Sequence, residues 1–271
     1  MMVSVVIPSY APGVYLTECL KSLEAQTISK DLFEVLIVLN GPREPYYDLI
    51  SNYLSKSELS SNLIYTDVKG ISNARNTGLD NINSKYIVFI DDDDLISPEY
   101  LQELIELADQ RTIAISNFKT FKNDSTKFEN DYLTYTYNRL KKRNQLSLLS
   151  SRRFFSNVCG KMIPVSIIGT TRFDCKLKNG EDSVFIVEIS KNIEKIKLTA
   201  GNAIYFRRLR QESASRKKIA YRELFEITVH EIGRYISMGI HEPKKYNVLF
   251  LFIRIMASLK SLANNLFGNL K

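Results

Sequence analysis

Four consecutive aspartates, Asp91 to Asp94, follow directly on the apolar run at residues 86–90 (YIVFI). Five aromatic and β-branched residues in a row are typical of a buried strand. Adjacent carboxylates at the end of such a strand repel one another and lose hydration, so they are costly there unless a cation neutralises them. Mg²⁺ takes one or two protein carboxylates and completes its shell with water and substrate phosphates. The run predicts either such a site or an acidic turn before a helix, with Asp94 or Ser97 as N-cap before Pro98.

The first 110 residues alternate between short apolar runs and stretches with helical spacing of apolar side chains. Continuous apolar strands separated by helices are typical of a parallel sheet that helices cover on both faces. Right-handed crossovers would bring the carboxyl ends of the strands to one edge, where nucleotides bind in open α/β folds. The predicted strands are residues 3–7, 33–39, 63–65 and 86–90. Beyond residue 110 we expect a strand over 112–121, a helix over 132–149, a helix over 184–189, a strand over 203–206, and helices over 217–267 broken at 239–243.

Charge is divided unevenly along the chain. Residues 1–110 hold 7 basic and 17 acidic side chains, whereas residues 111–271 hold 30 and 13, so the net charge of +7 hides a basic second part. This asymmetry predicts a surface that faces a polyanion, a membrane or a phosphorylated ligand. We expect no nucleic acid among the partners.

Three cysteines stand far apart, at positions 19, 159 and 175. They show neither a disulfide framework nor a zinc spacing, and they fit a reducing cytosol. A strand opens the chain at residues 3–7, so we expect no signal peptide. The longest apolar run near the C-terminus, residues 248–253, is much shorter than the roughly 20 residues of a membrane-spanning helix.

Five motifs, taken in order, resemble the catalytic domain of the family 2 glycosyltransferases, which have the nucleotide-binding GT-A fold. Residues 3–10 (VSVVIPSY) are similar to the opening strand of that family, and residues 70–79 (GISNARNTGL) to its G-x-S-x-A-R-N-x-G motif. The four aspartates resemble its D-x-D-D motif, and residues 180–182 (GED) its acceptor-side E-D motif. Residues 205–216 (YFRRLRQESASR) resemble the loop that closes the domain.

The resemblance implies a role for each matched residue. The donor nucleotide would lie against the end of the first strand and the acidic run, with a divalent cation, Mn²⁺ or Mg²⁺, at its diphosphate. Asn40 stands where many members carry an aspartate for a uracil nitrogen, so it either contacts the base or turns the chain before Gly41. The implied donor-binding residues are Pro8, Ser9, Tyr10, Asn40, Arg75, Asp91, Asp92, Lys161, Arg208 and Arg210, and the implied metal ligands are Asp93 and Asp91.

Arg75, Glu181 and Asp182 are the residues to which we assign chemistry. The arginine would bind the donor diphosphate or an aspartate of the acidic run, unless it lies on the surface. Glycosyl transfer requires a hydroxyl to lose its proton as it attacks the anomeric carbon, and the Asp182 carboxylate is the candidate general base. Glu181 would orient the acceptor. The alternative for both acids is a helix-start position without a further role.

Two basic regions have more than one interpretation. The cluster between Arg139 and Arg153 either binds an acceptor phosphate or lipid headgroups, or is a solvated helix face. Residues 244–267 combine apolar side chains with flanking lysines, as interfacial helices do. Otherwise they pack on the catalytic domain or form a dimer interface.

The sequence therefore predicts an α/β protein with a GT-A, Rossmann-like catalytic domain over residues 1–215, a mainly parallel central sheet and a helical extension over 216–271. Residues 1–110 would bind the nucleotide sugar and residues 111–215 the acceptor. By resemblance it is an inverting glycosyltransferase that moves a sugar from a nucleotide-diphosphate sugar to a saccharide or lipid-linked saccharide hydroxyl. Its pathway would be surface polysaccharide or glycolipid assembly, in the cytoplasm or peripherally on the inner face of the cell membrane. The alternatives are a nucleotidyltransferase and a non-catalytic subunit of a transferase.

Overall fold

The first half of the chain builds one side of a seven-stranded sheet. The structure is a computed structural model that describes residues 2–122, 127–210 and 220–267. Strands and helices alternate from the start, as the apolar spacing predicts. In chain order they are β1 (Val3–Ser9), α1 (Val14–Glu24), β2 (Phe33–Asn40), α2 (Tyr46–Leu54), β3 (Ser61–Thr66), α3 (Ile71–Asp80), β4 (Tyr86–Phe89), β5 (Leu95–Ile96) and α4 (Tyr100–Glu106).

The four long strands of this half lie parallel, in the order β4-β1-β2-β3. The predicted parallel arrangement is confirmed. Every residue of β1 is buried, as are nearly all of those in β2. A strand covered on both faces needs apolar side chains at successive positions, which explains the continuous apolar runs. Because the strands are parallel, the chain leaves β1, β2 and β4 at one edge, next to Ser9, Asn40 and Asp91.

The second half completes this sheet and adds a smaller one. Its elements are β6 (Thr112–Ile115), β7 (Asn117–Phe121), β8 (Phe128–Glu129), α5 (Tyr132–Leu140), α6 (Leu148–Ser151), β9 (Lys161–Pro164), α7 (Val165–Ile168), α8 (Glu181–Ile189), β10 (Lys195–Leu198), β11 (Ile204–Arg208), α9 (Tyr221–His241) and α10 (Val248–Phe267). The large sheet has the order β10-β6-β9-β4-β1-β2-β3, and β9 is antiparallel to both of its neighbours. The small sheet has the order β5-β11-β7-β8.

Residues 112–121 do not form the single strand that their pattern predicts. The chain changes sheets at Ser116, so that β6 pairs with β9 and β10 while β7 pairs with β11. The Ser116 amide donates to the carbonyl of Gly160 (3.0 Å), and the Asn117 amide donates to the carbonyl of Ala203 (2.9 Å). Two distant segments thus take over the backbone hydrogen bonds at this point, and no local pattern indicates that change.

The predicted helix over residues 132–149 is two helices. α5 begins with a capping box formed by Asp131 and Thr134 and ends at Leu140. A second capping box, formed by Ser147 and Ser150, starts α6. A serine side chain that accepts from an amide three residues ahead favours a new helix start over continuation of the previous helix. The Ser-x-x-Ser spacing is the local signal that separates the two helices.

The predicted helical extension is confirmed, and its inner side packs on α8. The hydroxyl of Tyr235 in α9 lies 2.6 Å from Ser183 Oγ. In α10 the ring of Phe250 meets that of Phe155 edge-on at 5.6 Å, and the guanidinium of Arg254 donates to the same serine hydroxyl. The packing interpretation therefore holds for this side of α10. The predicted domain boundary at residue 215 lies outside the described residues.

α10 is also long and apolar enough to cross a membrane, judged by length and composition. Its segment Val248–Leu266 has a mean hydropathy of 1.2, and 22% of that segment is buried. The uninterrupted apolar run ends at residue 253, but the helix itself continues to Phe267. A packed helix of a water-soluble domain meets the same criteria, so this finding alone does not assign the helix to a membrane.

Candidate active site

The nucleotide-side residues meet at the carboxyl edge of the parallel strands. The hydroxyl of Ser9 donates to Asp92 Oδ2 (2.7 Å). The Asn40 side chain donates to the carbonyl of Ser9 (3.0 Å) and accepts from the amide of Gly70 (3.3 Å). Asn40 is buried, so its amide connects the end of β1 to the loop before α3. This connection is a structural role that neither of the two predicted interpretations included.

Arg75 joins the acidic run to the acceptor-side acids. It lies on α3, is 1% exposed, and donates from one terminal nitrogen to Asp91 Oδ1 (3.0 Å). The other terminal nitrogen donates to Asp182 Oδ1 (2.5 Å) and to Glu181 Oε1 (3.3 Å). The ring of Phe173 lies 5.4 Å from the guanidinium and covers it. Arg75 is therefore not a surface residue, and a single cation links two motifs that are far apart in sequence.

Burial sets the proton affinities of this network. Burial raises the pKa of Asp182, while the nearby Arg75 opposes that rise. Burial and, next in size, the charge of Asp182 raise the pKa of Glu181. Burial by itself would lower the pKa of Arg75, but Asp182 and Asp91 outweigh it and raise that pKa above its ordinary value. Arg75 thus stays charged beside a carboxylate of raised proton affinity, which is what a general base near neutral pH requires.

Asp182 lies in the first turn of α8, as its place after a glycine predicts. Gly180 precedes the helix with a φ of +82°, a left-handed conformation that favours glycine. Besides Arg75, Asp182 contacts the backbone, since its Oδ2 accepts from the amide of Val158 (3.2 Å). The carboxylate is therefore held at both oxygens, and its orientation is fixed from two directions.

The first three aspartates of the acidic run have different partners. Asp91 accepts from Arg75, Asp92 from Ser9, and Asp93 Oδ2 forms an ion pair with Nε of Arg210 (2.6 Å). Burial raises the pKa of Asp92 to about 6, although the Ser9 hydroxyl opposes the rise. Burial and the charge of Asp91 likewise raise the pKa of Asp93. These carboxylates are crowded, and a positive ion would relieve their repulsion.

The fourth aspartate has a different role from the helix cap that the sequence suggests. Asp94 is buried and accepts from the hydroxyl of Tyr205 (2.6 Å) and from the amide of Arg208 (2.7 Å). The N-cap of α4 is Glu99, so the expectation of a cap at Asp94 or Ser97 is wrong. Asp94 instead connects the acidic run to β11 of the small sheet.

Arg208 supports the acidic run from behind. Its Nε donates to the carbonyl of Asp93 (2.8 Å), and its far end pairs with the carboxylate of Glu18. The guanidinium lies over the rings of Tyr15 (4.2 Å) and Phe121 (4.4 Å). The guanidinium of Arg208 therefore makes its contacts within the protein, whereas Arg210 is partly exposed and lies at the cleft. Residues 213–216 of the same motif lie outside the described residues.

Among the described residues, three other matched ones make no hydrogen bond or ion pair to the acids. Lys161 is buried, and its ammonium donates to the carbonyls of Asn157 and Cys159 (both 2.9 Å) and to the side-chain oxygen of Asn157 (3.1 Å). Burial lowers its pKa to about 7. All three of its donors are thus used within the chain rather than directed at a diphosphate. Pro8 is buried in β1, and Tyr10 is exposed at the rim of the cleft.

Several site residues have no distinctive local signal. Tyr15 and Glu18 reach Arg208 from α1, whose leucine spacing predicts only its buried side. The hydroxyl of Tyr205 also accepts from the amide of Asp91 (3.2 Å), and Phe173 covers Arg75. Tyr205 stands inside a recognised motif, so its position was indicated although its role was not. Phe173 lies in a loop and could be assigned only from the packed structure.

The residues of the acidic run fit a hard divalent cation. Within the described ranges, no group of three or more His, Cys, Asp or Glu side chains is placed to hold a metal. Mg²⁺ needs only one or two carboxylates when a substrate phosphate supplies further oxygens. Asp91 and Asp93 are such a pair of oxygen donors. Burial and, next in size, the charge of Asp91 raise the pKa of Asp93, and a cation between the two would relieve that repulsion.

Comparison with known proteins agrees with this geometry. The family model of glycosyl transferase family 2 matches residues 4–168. The glycosyltransferase GlyA of Streptococcus pneumoniae is 27% identical over 225 residues, covering 79% of this chain and 31% of the relative. The poly(ribitol-phosphate) beta-N-acetylglucosaminyltransferase TarS of Staphylococcus aureus is 23% identical over 261 residues, covering 93% of this chain and 44% of the relative. The chain thus spans less than half the length of either protein.

A solved structure has the same fold. The crystal structure of S. aureus TarS 1–349 in complex with UDP-GlcNAc superposes with a TM-score of 0.71 and 20% identity. The match covers 99% of this chain and 73% of that one. The predicted α/β class, with a mostly parallel central sheet and C-terminal helices, is therefore confirmed as the fold of the matched part of TarS 1–349.

Proposed function

Because this chain is a member of glycosyl transferase family 2, we propose that it is an inverting glycosyltransferase that uses a nucleotide-diphosphate sugar as donor and a saccharide hydroxyl as acceptor. The observation that supports this function best is the position of Arg75. Its buried guanidinium contacts Asp91 of the donor motif and Asp182 of the acceptor motif. The two halves of a glycosyl transfer site are therefore joined through one side chain.

The proposed reaction is a single displacement. The acceptor oxygen attacks the anomeric carbon of the donor, and the bond from that carbon to the diphosphate oxygen breaks. The nucleoside diphosphate leaves with the electron pair of that bond, and the anomeric configuration inverts. Asp182 accepts the proton of the acceptor hydroxyl, since burial gives its carboxylate a raised pKa. Glu181 lies next to it in α8 and orients the acceptor.

The donor nucleotide is proposed to lie along the carboxyl edge of β1, β2 and β4. Ser9 and Asp92 are hydrogen-bonded there, and the exposed ring of Tyr10 stands at the rim. Arg210 lies two residues after the end of β11, pairs with Asp93 of the acidic run and is partly exposed. The TarS structure contains UDP-GlcNAc, which makes a uridine diphosphate sugar the first donor to test.

Asp93, with Asp91, would hold the divalent cation, Mn²⁺ or Mg²⁺. When bound, such an ion neutralises charge that develops on the departing diphosphate. Arg210, which pairs with Asp93, would supply a further positive charge near the diphosphate. Asp93→Ala is expected to abolish the dependence of nucleoside diphosphate affinity on the cation, measured by calorimetry with and without Mg²⁺. Asp109→Asn, an exposed acid beyond α4, is the matched control; unchanged cation dependence in Asp93→Ala removes Asp93 from the site.

The acceptor is proposed to be a saccharide or lipid-linked saccharide in the assembly of a surface polysaccharide or glycolipid. This proposal is supported by the names of relatives such as TarS and the teichoic acid protein GgaB of Bacillus subtilis. Because nucleotide sugars are the proposed donors, the proposed location is the cytoplasm, or peripherally the inner face of the cell membrane where the acceptor is lipid-linked.

The decisive experiment offers the protein nucleotide sugars and nucleoside triphosphates in parallel, with Mg²⁺ or Mn²⁺ and a panel of saccharide acceptors. We expect consumption of a nucleotide sugar, release of nucleoside diphosphate and a glycosylated acceptor of inverted configuration. Consumption of the triphosphate with release of pyrophosphate would instead identify a nucleotidyltransferase. Donor binding with no turnover across all acceptors would identify a non-catalytic subunit.

A further inference from the structure

The outer side of α10 is apolar and exposed. Leu249, Phe252, Met256 and Leu259 recur every three or four residues and therefore lie on one side of the helix. The opposite side is buried against the domain through Phe250 and Leu251, together with the polar Arg254 and Ser258. A helix of a globular protein normally turns its apolar stripe toward the core. In α10 a second apolar stripe faces outward.

α9 has an exposed apolar stripe of the same kind. Its side chains at Phe225, Val229, Ile236 and Ile240 are each about half exposed or more, while Tyr235 on the inner side is fully buried. Scattered apolar residues on a surface are ordinary, but contiguous stripes on two adjacent helices indicate an interaction site. The helices α9 and α10 are in contact with each other.

Two segments next to α10 carry basic side chains and no acidic ones, whereas α9, which also packs on α10, contains Glu223, Glu226 and Glu231. Residues 243–267 contain four basic side chains and no acidic one, and residues 132–156 contain six basic side chains and no acidic one. The second segment touches the first, because α6 contacts α10 and Phe155 packs on Phe250. Within the part of the chain that the structure describes, none of the six bases in residues 132–156 forms an ion pair. Their charge is therefore available to an external anion.

From the exposed apolar stripe of α10 and the basic segment beside it, we infer that the protein docks on an anionic lipid bilayer. We call the interacting region the docking surface: the stripe Leu249, Phe252, Met256 and Leu259, together with the six bases of residues 132–156. Apolar side chains would enter the boundary between headgroups and acyl chains, and the bases would contact anionic headgroups. A second copy of the chain fits this surface poorly, because pairing two such surfaces would bring like charges together.

The docking surface is connected to the acceptor side of the cleft. The turn Arg152–Ser156 contacts α8, and the Val158 amide just after it donates to Asp182. If Asp182 is the general base, as the proposed function has it, docking through this connection would bring that base close to the bilayer that carries the acceptor. The membrane would then present the acceptor, and the enzyme would take the donor from the cytoplasm.

Vesicle flotation with the full chain tests the inference without any sugar donor. The probes are vesicles of pure phosphatidylcholine and vesicles with about one third phosphatidylglycerol. We expect binding to the anionic vesicles and little to the neutral ones. The triple variant Arg139→Glu, Lys142→Glu, Arg143→Glu should bind the anionic vesicles at least about a hundredfold more weakly, because each base near an anionic surface contributes roughly fivefold. The control Lys21→Glu, Lys56→Glu changes exposed lysines on α1 and at the end of α2 and should bind like the parent.

A second variant, Leu249→Ser, Phe252→Ser, Met256→Ser, tests the apolar part of the docking surface. It should lose the residual binding that remains at high salt, whereas Leu49→Ser, an equally exposed leucine on α2, should not. Light scattering on all variants reports the oligomeric state. Equal flotation of parent and charge variant overturns the inference, and so does a parent dimer that the serine variant converts to a monomer. Transfer to a soluble acceptor is measured separately, so a failed docking result is distinct from a failed glycosyltransferase assignment.

Discussion

The cleft and the outer side of the C-terminal helices depart from ordinary burial in opposite directions. In the cleft, charged side chains are buried, with Arg75 at 1% and Asp94 at 3% exposure. On α9 and α10, apolar side chains are exposed, with Phe252 at 56% and Ile240 at 69%. A buried charge is costly unless it is paired, and a large exposed apolar stripe is unfavourable unless something covers it.

The two regions differ in what offsets these costs: partners within the chain in one, and a partner outside the chain in the other. Arg75 has three carboxylates around it, and Asp94 accepts from a hydroxyl and an amide, so the chain itself supplies partners for these two buried groups. Among the described residues, the bases of the docking surface form no ion pairs, although Lys141, Arg152 and Arg153 donate hydrogen bonds within the chain. Its apolar stripe is exposed. Internal pairing indicates a site whose geometry is fixed before substrate arrives, whereas an uncompensated surface indicates a partner outside the chain.

The largest expected effect is on the rate of transfer, when the buried carboxylate of Asp182 is replaced. Asp182→Asn keeps the size of the side chain but removes the proton acceptor, so transfer to the acceptor should fall by about 10²–10⁴-fold. Donor affinity should change little, because the proposed donor contacts lie on other elements. Initial rates of nucleoside diphosphate release and donor calorimetry measure the two quantities. If Asp182→Asn keeps near-full activity while Asp93→Ala is inactive, the base lies elsewhere, and Glu181 is the first candidate.

The next effect is on the free energy of unfolding, when the ion pairs of Arg75 in the cleft are removed. Arg75→Met leaves the carboxylates of Asp91, Glu181 and Asp182 without their shared cation, and should lower the free energy of unfolding by about 3–5 kcal/mol at neutral pH. Arg172→Met removes an exposed ion pair with Asp80 and should cost less than about 1 kcal/mol. Urea denaturation compares the two variants. Equal losses would show that the cleft network is not held by Arg75.

A pair of phenylalanines on one helix separates the two sides of α10. Phe250 is 1% exposed and packs on Phe155, so Phe250→Ala should destabilise the fold by about 3–5 kcal/mol. Phe252→Ala, two residues away on the outer side, should change stability by less than about 0.5 kcal/mol in the absence of vesicles. Thermal unfolding of both variants measures the difference. A large loss for Phe252→Ala would mean that its side chain is covered in solution, for example by a second copy.

The smallest expected effect is a pH dependence of stability. Burial raises the pKa of Asp92 to about 6, so the folded state binds more protons than the unfolded state between about pH 4 and 6. Stability should therefore fall as the pH rises through that range. The raised pKa corresponds to at most about 3 kcal/mol, and the partial exposure of the carboxylate reduces it.

Asp92→Asn should reduce this pH dependence, to which Asp93, Glu181 and Asp182 also contribute because burial raises their pKa values, whereas Asp48→Asn, an exposed acid on α2, should leave it unchanged. Urea denaturation at pH 5 and pH 7.5, without divalent cations, measures the slope. Parallel curves for Asp92→Asn and the parent protein would mean that Asp92 is not the group responsible. Added Mg²⁺ should recover part of the stability lost at the higher pH, since it neutralises the crowded carboxylates.

Local patterns in the sequence determined most of the secondary structure and the parts of the site. Apolar runs and leucine spacing were sufficient for β1, β2, β4 and the helices between them, because burial on both faces leaves a continuous apolar signature. The motifs located Arg75, the acidic run and the Glu181-Asp182 pair. The same local reading was wrong at residues 112–121 and 132–149, where a change of sheet and a new capping box interrupt the pattern.

Only the tertiary structure decided which of these residues meet. Arg75 and Asp182 are 107 residues apart in sequence, and their contact depends on how α3 and α8 pack against the sheet. Packing likewise brings Asp94 to the hydroxyl of Tyr205 and not to a helix N-terminus. It also surrounds Lys161 with oxygens of the chain, to which the ammonium makes three hydrogen bonds. Side-chain type is encoded one residue at a time, but a partner is set by the relative placement of whole elements. For that reason the sequence indicated which residues belong to the site, whereas the fold decided which partner each of them contacts.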